Sequence, residues 1–254
     1  MQGTIAFEKI QSVRPALNQL SMNIWRHPEG PYQEVKACGW TAALLEQEGF
    51  CVEMGACSLP TAIIARWGSG HPVIGFFGEY DALPGLSQQL CPQQEPFPNQ
   101  EYGHGCGHNL LGAAHVGAVI GLKEEMERTG CSGTIIFYGC PAEELLTGKP
   151  FMAREHAFDD LDLAISFHPA TVNFVYQGIN AGVHSVEFHY YGKSAHAGAD
   201  PQNGRSALDA LELTNVGAQY LREHVTEDVR IHYVIKEGGT APNIVPDKAS
   251  SWYM

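Results

Sequence analysis

Four short segments of this sequence carry side chains that bind metals or that bear a carboxylate, and three of them follow an apolar run. In an open α/β sheet the strand ends lie along one edge, where ligands bind. Residues far apart in the sequence are therefore expected to meet there around one cluster of metal ions. The pattern predicts a metal-dependent hydrolase. The four segments are Glu79-Tyr80-Asp81, Cys106-Gly107-His108, Glu143-Glu144 and His168-Pro169.

The segment from Gly103 to Asn109 is the sharpest local signal. Thiolate and imidazole, here from Cys106 and His108, are donors that suit zinc and similar ions. The glycines between them allow the backbone to fold tightly around an ion. The N-terminus of the following helix favours the thiolate form of Cys106. The alternative is a glycine-rich turn with an incidental cysteine and histidine.

Two adjacent carboxylates, Glu143 and Glu144, follow the apolar run Thr134–Tyr138. They repel each other unless a cation holds one of them. The other could then act as general base on a metal-activated water. An ordinary acidic pair at a helix start is the alternative. His168 follows a further apolar run, and it is either a metal ligand or a satisfied core histidine.

Asp81 and His196 are two further candidates. Asp81 follows the run Val73–Phe77 and either orients a ligand histidine or caps a turn. His196 lies among small residues in the segment Gly192–Pro201, far from the other candidates. Such surroundings suit a residue delivered to a site from elsewhere, although an ordinary loop histidine would look the same.

Alternating strand and helix patterns surround these residues, and they favour an α/β fold with a mostly parallel, doubly wound sheet. This catalytic, metal-binding part is assigned to residues 1–180. After it, the pattern predicts a smaller α+β domain with an antiparallel sheet, residues 181–254. The predicted helices are Phe7–Arg26, Gln33–Glu48, Asn109–Glu127, Pro150–His156 and Ser206–His224. The predicted strands are Cys51–Met54, Ala62–Trp67, Val73–Phe77, Thr134–Tyr138, Leu163–Phe167, Val183–Tyr191, Val229–Ile235 and Ser251–Tyr253.

Composition excludes several classes of protein. The 254 residues include 15 Lys and Arg against 28 Asp and Glu, a formal net charge of −13, which disfavours a nucleic-acid-binding surface. No apolar run approaches a membrane span, and the first residues do not match a signal pattern. Seven scattered cysteines, an odd number, favour free thiols in a reducing compartment. A cytoplasmic protein is expected.

Together these residues resemble the M20 family of metallopeptidases and amidohydrolases, and within it the branch of p-aminobenzoyl-glutamate hydrolase-like enzymes. The resembling stretches keep the family's order and span almost the whole chain. They are residues 24–29 (IWRHPE), 79–88 (EYDALPGLSQ), 103–112 (GHGCGHNLLG), 141–144 (PAEE), 192–196 (GKSAH) and 242–247 (PNIVPD).

The resemblance implies a metal site of two divalent ions, zinc or manganese. Cys106 matches the position of a metal-bridging thiolate in this branch. Glu79 stands where other branches place a histidine ligand, and it is not assigned to the metal. The remaining ligand positions are matched by His108, Glu144 and His168.

The resemblance also implies how the site would work. Glu143 matches the general base that deprotonates the attacking water, and Asp81 matches the aspartate that supports the metal site. His196 matches a lid histidine that reaches the active site of the partner subunit and stabilises the oxyanion. Asn243 matches a substrate-binding position of the lid. The implied protein is a homodimer, joined through the smaller lid domain, that cleaves the amide bond of N-acyl amino acids, aryl-glutamates or dipeptide-like substrates.

In one respect the chain departs from the family pattern. That pattern continues beyond the lid and supplies a last histidine ligand, so the chain is expected to be part of a longer protein. Two other functions remain open. One is a non-catalytic binding or regulatory protein on the same scaffold. The other is a thiol hydrolase with Cys106 as nucleophile beside His108. Two residues apart on a glycine turn, their side chains are poorly placed for the hydrogen bond between a nucleophile and its base.

Overall fold

The structure is a computed structural model, and it describes residues 4–175 and 182–254. The chain divides into two compact units, Met1–Asn173 and Phe174–Met254, each with its own sheet. The domain boundary predicted between residues 180 and 181 lies outside the described residues. Within the described part of the chain, no helix is long and apolar enough to cross a membrane.

Unit 1 contains both helices and strands. Its strands are Cys51–Met54 (β1), Ile63–Ser69 (β2), Val73–Glu79 (β3), Leu83–Pro84 (β4), Tyr102–Gly103 (β5), Gly133–Cys140 (β6) and Leu163–Ile165 (β7). Its helices are Ile5–Arg26 (α1), Val35–Gln47 (α2), His108–Thr129 (α3) and Gly148–Arg154 (α4), with 3-10 turns at Ala56–Ser58 and Glu143–Leu145.

Five of these strands form one sheet in the order β1-β2-β6-β3-β7, while β4 and β5 pair with each other. The α/β class predicted from the sequence is confirmed. Strand directions are mixed: β6, β3 and β7 are parallel, whereas β1–β2 and β2–β6 are antiparallel pairs. The links between β1 and β2 (55–62) and between β2 and β3 (70–72) are both too short for the crossover that connects parallel strands. β2 therefore runs opposite to β1 and to β3, and hence opposite to β6, which is parallel to β3.

The central strand β6 is buried at all eight positions, as expected for a strand covered on both faces. Its side chains alternate between the faces. Ile135 and Phe137 pack in the core beneath α1, α2 and α3, whereas Ile136 and Tyr138 pack on the other side with Met152 of α4. The sheet is therefore covered by helices on both sides, which matches a doubly wound arrangement.

The strand β7 differs from its prediction. The sequence predicts a buried strand over Leu163–Phe167, but Leu163 is 50% exposed and Phe167 is 47% exposed. The reason is its place in the sheet, since β7 lies at the edge and pairs only with β3 in the described part of unit 1. An apolar run predicts a strand, yet it does not tell whether the strand is central or peripheral.

Unit 2 is an antiparallel sheet with one main helix packed on it. Its strands are Val186–Tyr191 (β8), Tyr233–Glu237 (β9) and Lys248–Tyr253 (β10), in the order β8-β10-β9. Helix α5, Ala207–Leu221, packs on it through a small core of Ala207, Leu211 and Ala249. Two 3-10 turns, Pro201–Asn203 and Arg222–His224, flank the helix. The strand predicted at Val229–Ile235 lies later in the chain, as β9.

Candidate metal centre

The carboxyl ends of β3 and β6 lie side by side. The two strands are parallel, and Glu79 at the end of β3 is in register with Cys140 at the end of β6. Asp81 follows β3 by two residues, and the turn Glu143–Leu145 follows β6. The acidic residues selected from the sequence therefore lie at one edge of the sheet, the edge at which such folds bind ligands.

His108, the first residue of α3, is buried at this edge. Its Nδ1 lies 2.9 Å from Oδ1 of Asp81 and 3.1 Å from the carbonyl oxygen of the same residue. Both partners are acceptors, so Nδ1 carries a proton and donates it. In the neutral ring, Nε2 is then the unprotonated nitrogen, which is the form that binds metals.

Several buried atoms around this nitrogen lack a hydrogen-bond partner among the described residues. They include Nε2 of His108 itself, Oε2 of Glu79 and Oε1 of Glu144. The Glu79 oxygen lies 3.2 Å from the His108 nitrogen, and the Glu144 oxygen lies 3.9 Å from it. Because a buried polar atom without a partner is costly, these atoms indicate a group that would satisfy them together.

Cys106 and His168 bring further donors to the same place. The Sγ atom of Cys106 lies 3.2 Å from Nε2 of His168, and Nδ1 of His168 lies 2.9 Å from the carbonyl oxygen of Pro169. That carbonyl accepts the Nδ1 proton, which leaves Nε2 of His168 as a ligand atom in the neutral ring. One donor atom each of Cys106, His108 and His168 lie within 4.8 Å of one another.

These residues fit divalent metal ions, both by their unsatisfied buried atoms and by their set of sulfur, nitrogen and oxygen donors. The charge balance agrees with this assignment. Burial, together with Glu144, Glu143 and Glu79, raises the pKa of the Cys106 thiol to about 12. The start of α3 alone therefore does not hold Cys106 as the thiolate expected from the sequence, whereas a nearby cation would favour that form.

Two other carboxylates hold the turn that carries Glu143 and Glu144. The N–H of Ala142 donates to Oε1 of Glu34 at 2.8 Å, and the N–H of Glu144 donates to Oδ2 of Asp81 at 2.9 Å. Ala142 has a φ of 51°, a left-handed conformation that is uncommon outside glycine and needs such support. Asp81 therefore contacts both His108 and the turn beside it.

Glu143 is the more accessible member of the acidic pair. Its side chain is 27% exposed and that of Glu144 is 17% exposed, while Oε2 of Glu143 lies 3.7 Å from Nε2 of His108. Burial and the charge of Glu79 raise the pKa of Glu143 above its ordinary value. A carboxylate with a raised pKa and some access to solvent suits a general base.

Sequence reasoning missed Glu34 and Lys149. Glu34 is buried and also accepts the hydroxyl of Thr61 at 2.8 Å. The sequence predicts it inside a helix that begins at Gln33, whereas α2 begins one residue after it. Lys149, in α4, forms an ion pair with Glu79. No local pattern marks either residue, because their partners lie far away in the sequence.

In unit 2, the structure brings the segments of His196 and Asn243 together. The N–H of Ala197 donates to the carbonyl oxygen of Asn243 at 3.0 Å. Nδ1 of His196 accepts the N–H groups of Gly198 at 3.1 Å and Ala199 at 3.0 Å. Since Nδ1 is an acceptor, Nε2 carries the proton in the neutral ring. His196 therefore has a hydrogen-bond donor at the far side of its imidazole.

Comparison with known proteins places the chain in a family. Residues 179–254 match the profile of the M20 peptidase dimerisation domain. Over 249 residues the chain is 42% identical to one subunit of p-aminobenzoyl-glutamate hydrolase from Escherichia coli strain K12, covering 97% of this chain and 52% of that protein. The chain belongs to the M20 family of peptidases.

Other M20 relatives agree. This M20 chain is 34% identical over 260 residues to Xaa-Arg dipeptidase from Mus musculus, covering 98% of the chain and 56% of that protein. Its fold is shared with a solved dinuclear metal binding peptidase of the M20 family from Bacillus subtilis, at a TM-score of 0.56 and 19% identity, over 96% of this chain and 64% of that one. The chain spans about half the length of the curated relatives it matches.

Proposed function

We propose that the protein hydrolyses an amide bond in N-acyl amino acids, aryl-glutamates or dipeptide-like substrates, in a metal-dependent reaction. The observation that carries this proposal is the buried Nε2 of His108, unpartnered among the described residues and facing the unpartnered oxygens of Glu79 and Glu144. The names of two relatives, a p-aminobenzoyl-glutamate hydrolase and an Xaa-Arg dipeptidase, support this class of substrate.

Cys106, His108, Glu144 and His168 would hold two divalent ions. The description of the Bacillus subtilis relative as dinuclear supports this number. When bound, such ions polarise the scissile carbonyl and activate the attacking water. Zinc and manganese are the proposed metals, and this mixed set of donors also accepts other first-row ions.

Glu143 would take the proton of the attacking water on its carboxylate and then deliver it to the nitrogen of the leaving amine. Its partial exposure and raised pKa support this role. Asp81 would keep His108 in the tautomer that leaves Nε2 unprotonated, and with Glu34 it would keep the Glu143 turn in place. These two carboxylates are positioning residues.

Loss of the metal is the direct test of the proposal. Treatment with a chelator is expected to abolish hydrolysis, and added zinc or manganese should restore it. A thiol hydrolase would instead use Cys106 as nucleophile, with His168, whose Nε2 lies 3.2 Å from the Cys106 sulfur, as its base. Chelator-resistant turnover that stops on thiol alkylation would overturn metal-dependent hydrolysis and support the thiol enzyme. Tight metal binding without any amide turnover would favour the non-catalytic alternative.

His196 would donate its Nε2 proton to the oxyanion that forms during attack, and Asn243 would bind substrate beside it. Replacing His196 with alanine is expected to lower kcat about 100-fold, because one oxyanion donor is lost. Metal content should not change. His224→Ala, an exposed histidine of the same unit, is the control and should keep full activity. Equal activity of the two variants would contradict the oxyanion role.

The chain would form a homodimer through residues 181–254, the lid and dimerisation part, while residues 1–180 carry the catalytic part. The match to a dimerisation domain supports this arrangement.

If His196 acts on the partner's site, mixing the inactive His196→Ala and Glu143→Gln proteins under subunit exchange should restore about a quarter of the activity. The Escherichia coli hydrolase has two separately named subunits, and both match this chain, so a related second subunit is a further candidate partner. The free cysteines support a cytoplasmic location.

A further inference from the structure

The carboxylate of Glu79 is held in an unusual way for a buried acid. Glu79 ends β3, and its side chain is 7% exposed. One oxygen, Oε1, forms an ion pair with the ammonium group of Lys149. The other oxygen, Oε2, has no hydrogen-bond donor among the described residues and lies 3.2 Å from Nε2 of His108.

These two atoms do not suit each other in the neutral state. Nδ1 of His108 is 2.9 and 3.1 Å from two acceptors of Asp81, so it carries the ring's proton. Nε2 therefore presents a lone pair to the lone pairs of the Glu79 oxygen. A cation shared by both atoms would satisfy them. Their separation is close to the ligand–ligand distance of about 3.3 Å that zinc–ligand bond lengths imply for a four-coordinate site.

Lys149 determines which oxygen of Glu79 is available. It reaches the site from α4, five residues after Glu144, and its side chain is 32% exposed. By binding Oε1, it leaves Oε2 directed at His108. It also offsets part of the negative charge of Glu79, Asp81, Glu143 and Glu144, which lie together at this edge of the sheet.

We propose that Glu79 is a further metal ligand of this site, through Oε2, and that Lys149 positions it. This inference rests on the metal dependence proposed above. It adds a ligand from β3 to a set drawn from the start of α3, from the turn just before it and from the segments after β6 and β7. It also explains why a lysine lies next to a site for cations, where its charge alone would be unfavourable.

The test measures metal binding rather than turnover. Purified Glu79→Gln, Lys149→Met and Lys149→Arg proteins are compared with the parent for zinc affinity, zinc content and the absorption spectrum of the cobalt-loaded form. Glu79→Gln keeps the shape of the side chain but weakens it as a ligand. Lys9→Met is the matched control, because it breaks a lysine–glutamate pair, Lys9–Glu48 at 2.7 Å, in the same unit.

Glu79→Gln should bind one zinc ion at least about 100-fold more weakly and change the cobalt spectrum. Lys149→Met should weaken zinc binding about 10-fold, as loss of a partner that orients a ligand does, and Lys149→Arg should restore it. Lys9→Met should match the parent. A lysine that acts only through its charge predicts the opposite sign, since removing it would tighten zinc binding.

Two results would overturn the inference while leaving metal-dependent hydrolysis in place. One is a Glu79→Gln protein with parental zinc affinity and an unchanged cobalt spectrum, which would mean that a second proton on His108 satisfies Glu79. The other is tighter zinc binding by Lys149→Met. If Lys149→Met does not fold, Glu79→Gln decides alone. Failure of the parent to bind zinc or manganese would instead overturn the proposed function itself.

Discussion

Replacing Glu143 with glutamine is expected to lower kcat about 1,000-fold, because a general base contributes a factor of this order. The amide keeps the size of the side chain but does not take up the proton of the attacking water. Metal content should stay at the parental level, since Glu143 is not among the proposed ligands. Steady-state kinetics and metal analysis of the same preparation check both parts.

The neighbouring residue offers a matched control for this substitution. Glu144→Gln changes the same chemical group one position later, and the oxygens of Glu143 and Glu144 lie 3.7 and 3.9 Å from the same His108 nitrogen. We expect Glu144→Gln to lose metal, and to lose activity for that reason. If Glu143→Gln lost metal while Glu144→Gln kept it, the two roles would be exchanged.

The elements that build the sheet of unit 1 were largely predictable. Continuous apolar runs mark β3 and β6, because strands buried on both faces have no polar side. Strand direction was less predictable, since it depends on which strands pair and on the length of the links between them. The run at Leu163–Phe167 is just as apolar, yet it lies at the sheet edge and leaves Phe167 47% exposed. An apolar composition predicts a strand, while the strands and helices that pack against it determine how far it is buried.

The same limit applies to the candidate metal centre. The proximity of Cys106 and His108 was predictable, because the two residues are separated by a single glycine at the start of α3. The contacts of Glu34 and Lys149 were not predictable. Glu34 binds Ala142, 108 residues away, and Lys149 binds Glu79, 70 residues away. An isolated Glu or Lys carries no signal of such a partner in the sequence. Residues that position a site are found only once the strands that bring them together are known.

Replacing Asp81 with asparagine is expected to weaken metal binding about 10- to 100-fold, the usual effect of losing a residue that orients a metal ligand. Asp81 accepts on both oxygens, from Nδ1 of His108 at 2.9 Å and from the N–H of Glu144 at 2.9 Å. Asparagine has one oxygen and one NH2 group. The NH2 group then lies against one of the two N–H donors, either Nδ1 of His108 or the N–H of Glu144, and cannot accept its hydrogen bond. Either the histidine or the turn therefore loses its support.

Asp162→Asn is the control for this substitution. Asp162 also accepts from a backbone N–H and a histidine Nδ1, those of Val73 at 2.7 Å and His71 at 2.6 Å, but it receives both on Oδ2. The single oxygen of asparagine can replace that atom, and the side chain is 46% exposed. Zinc affinity and denaturant unfolding should therefore change little in Asp162→Asn. If Asp81→Asn had a lower free energy of unfolding but kept the zinc affinity of the parent, Asp81 would stabilise the fold without orienting His108.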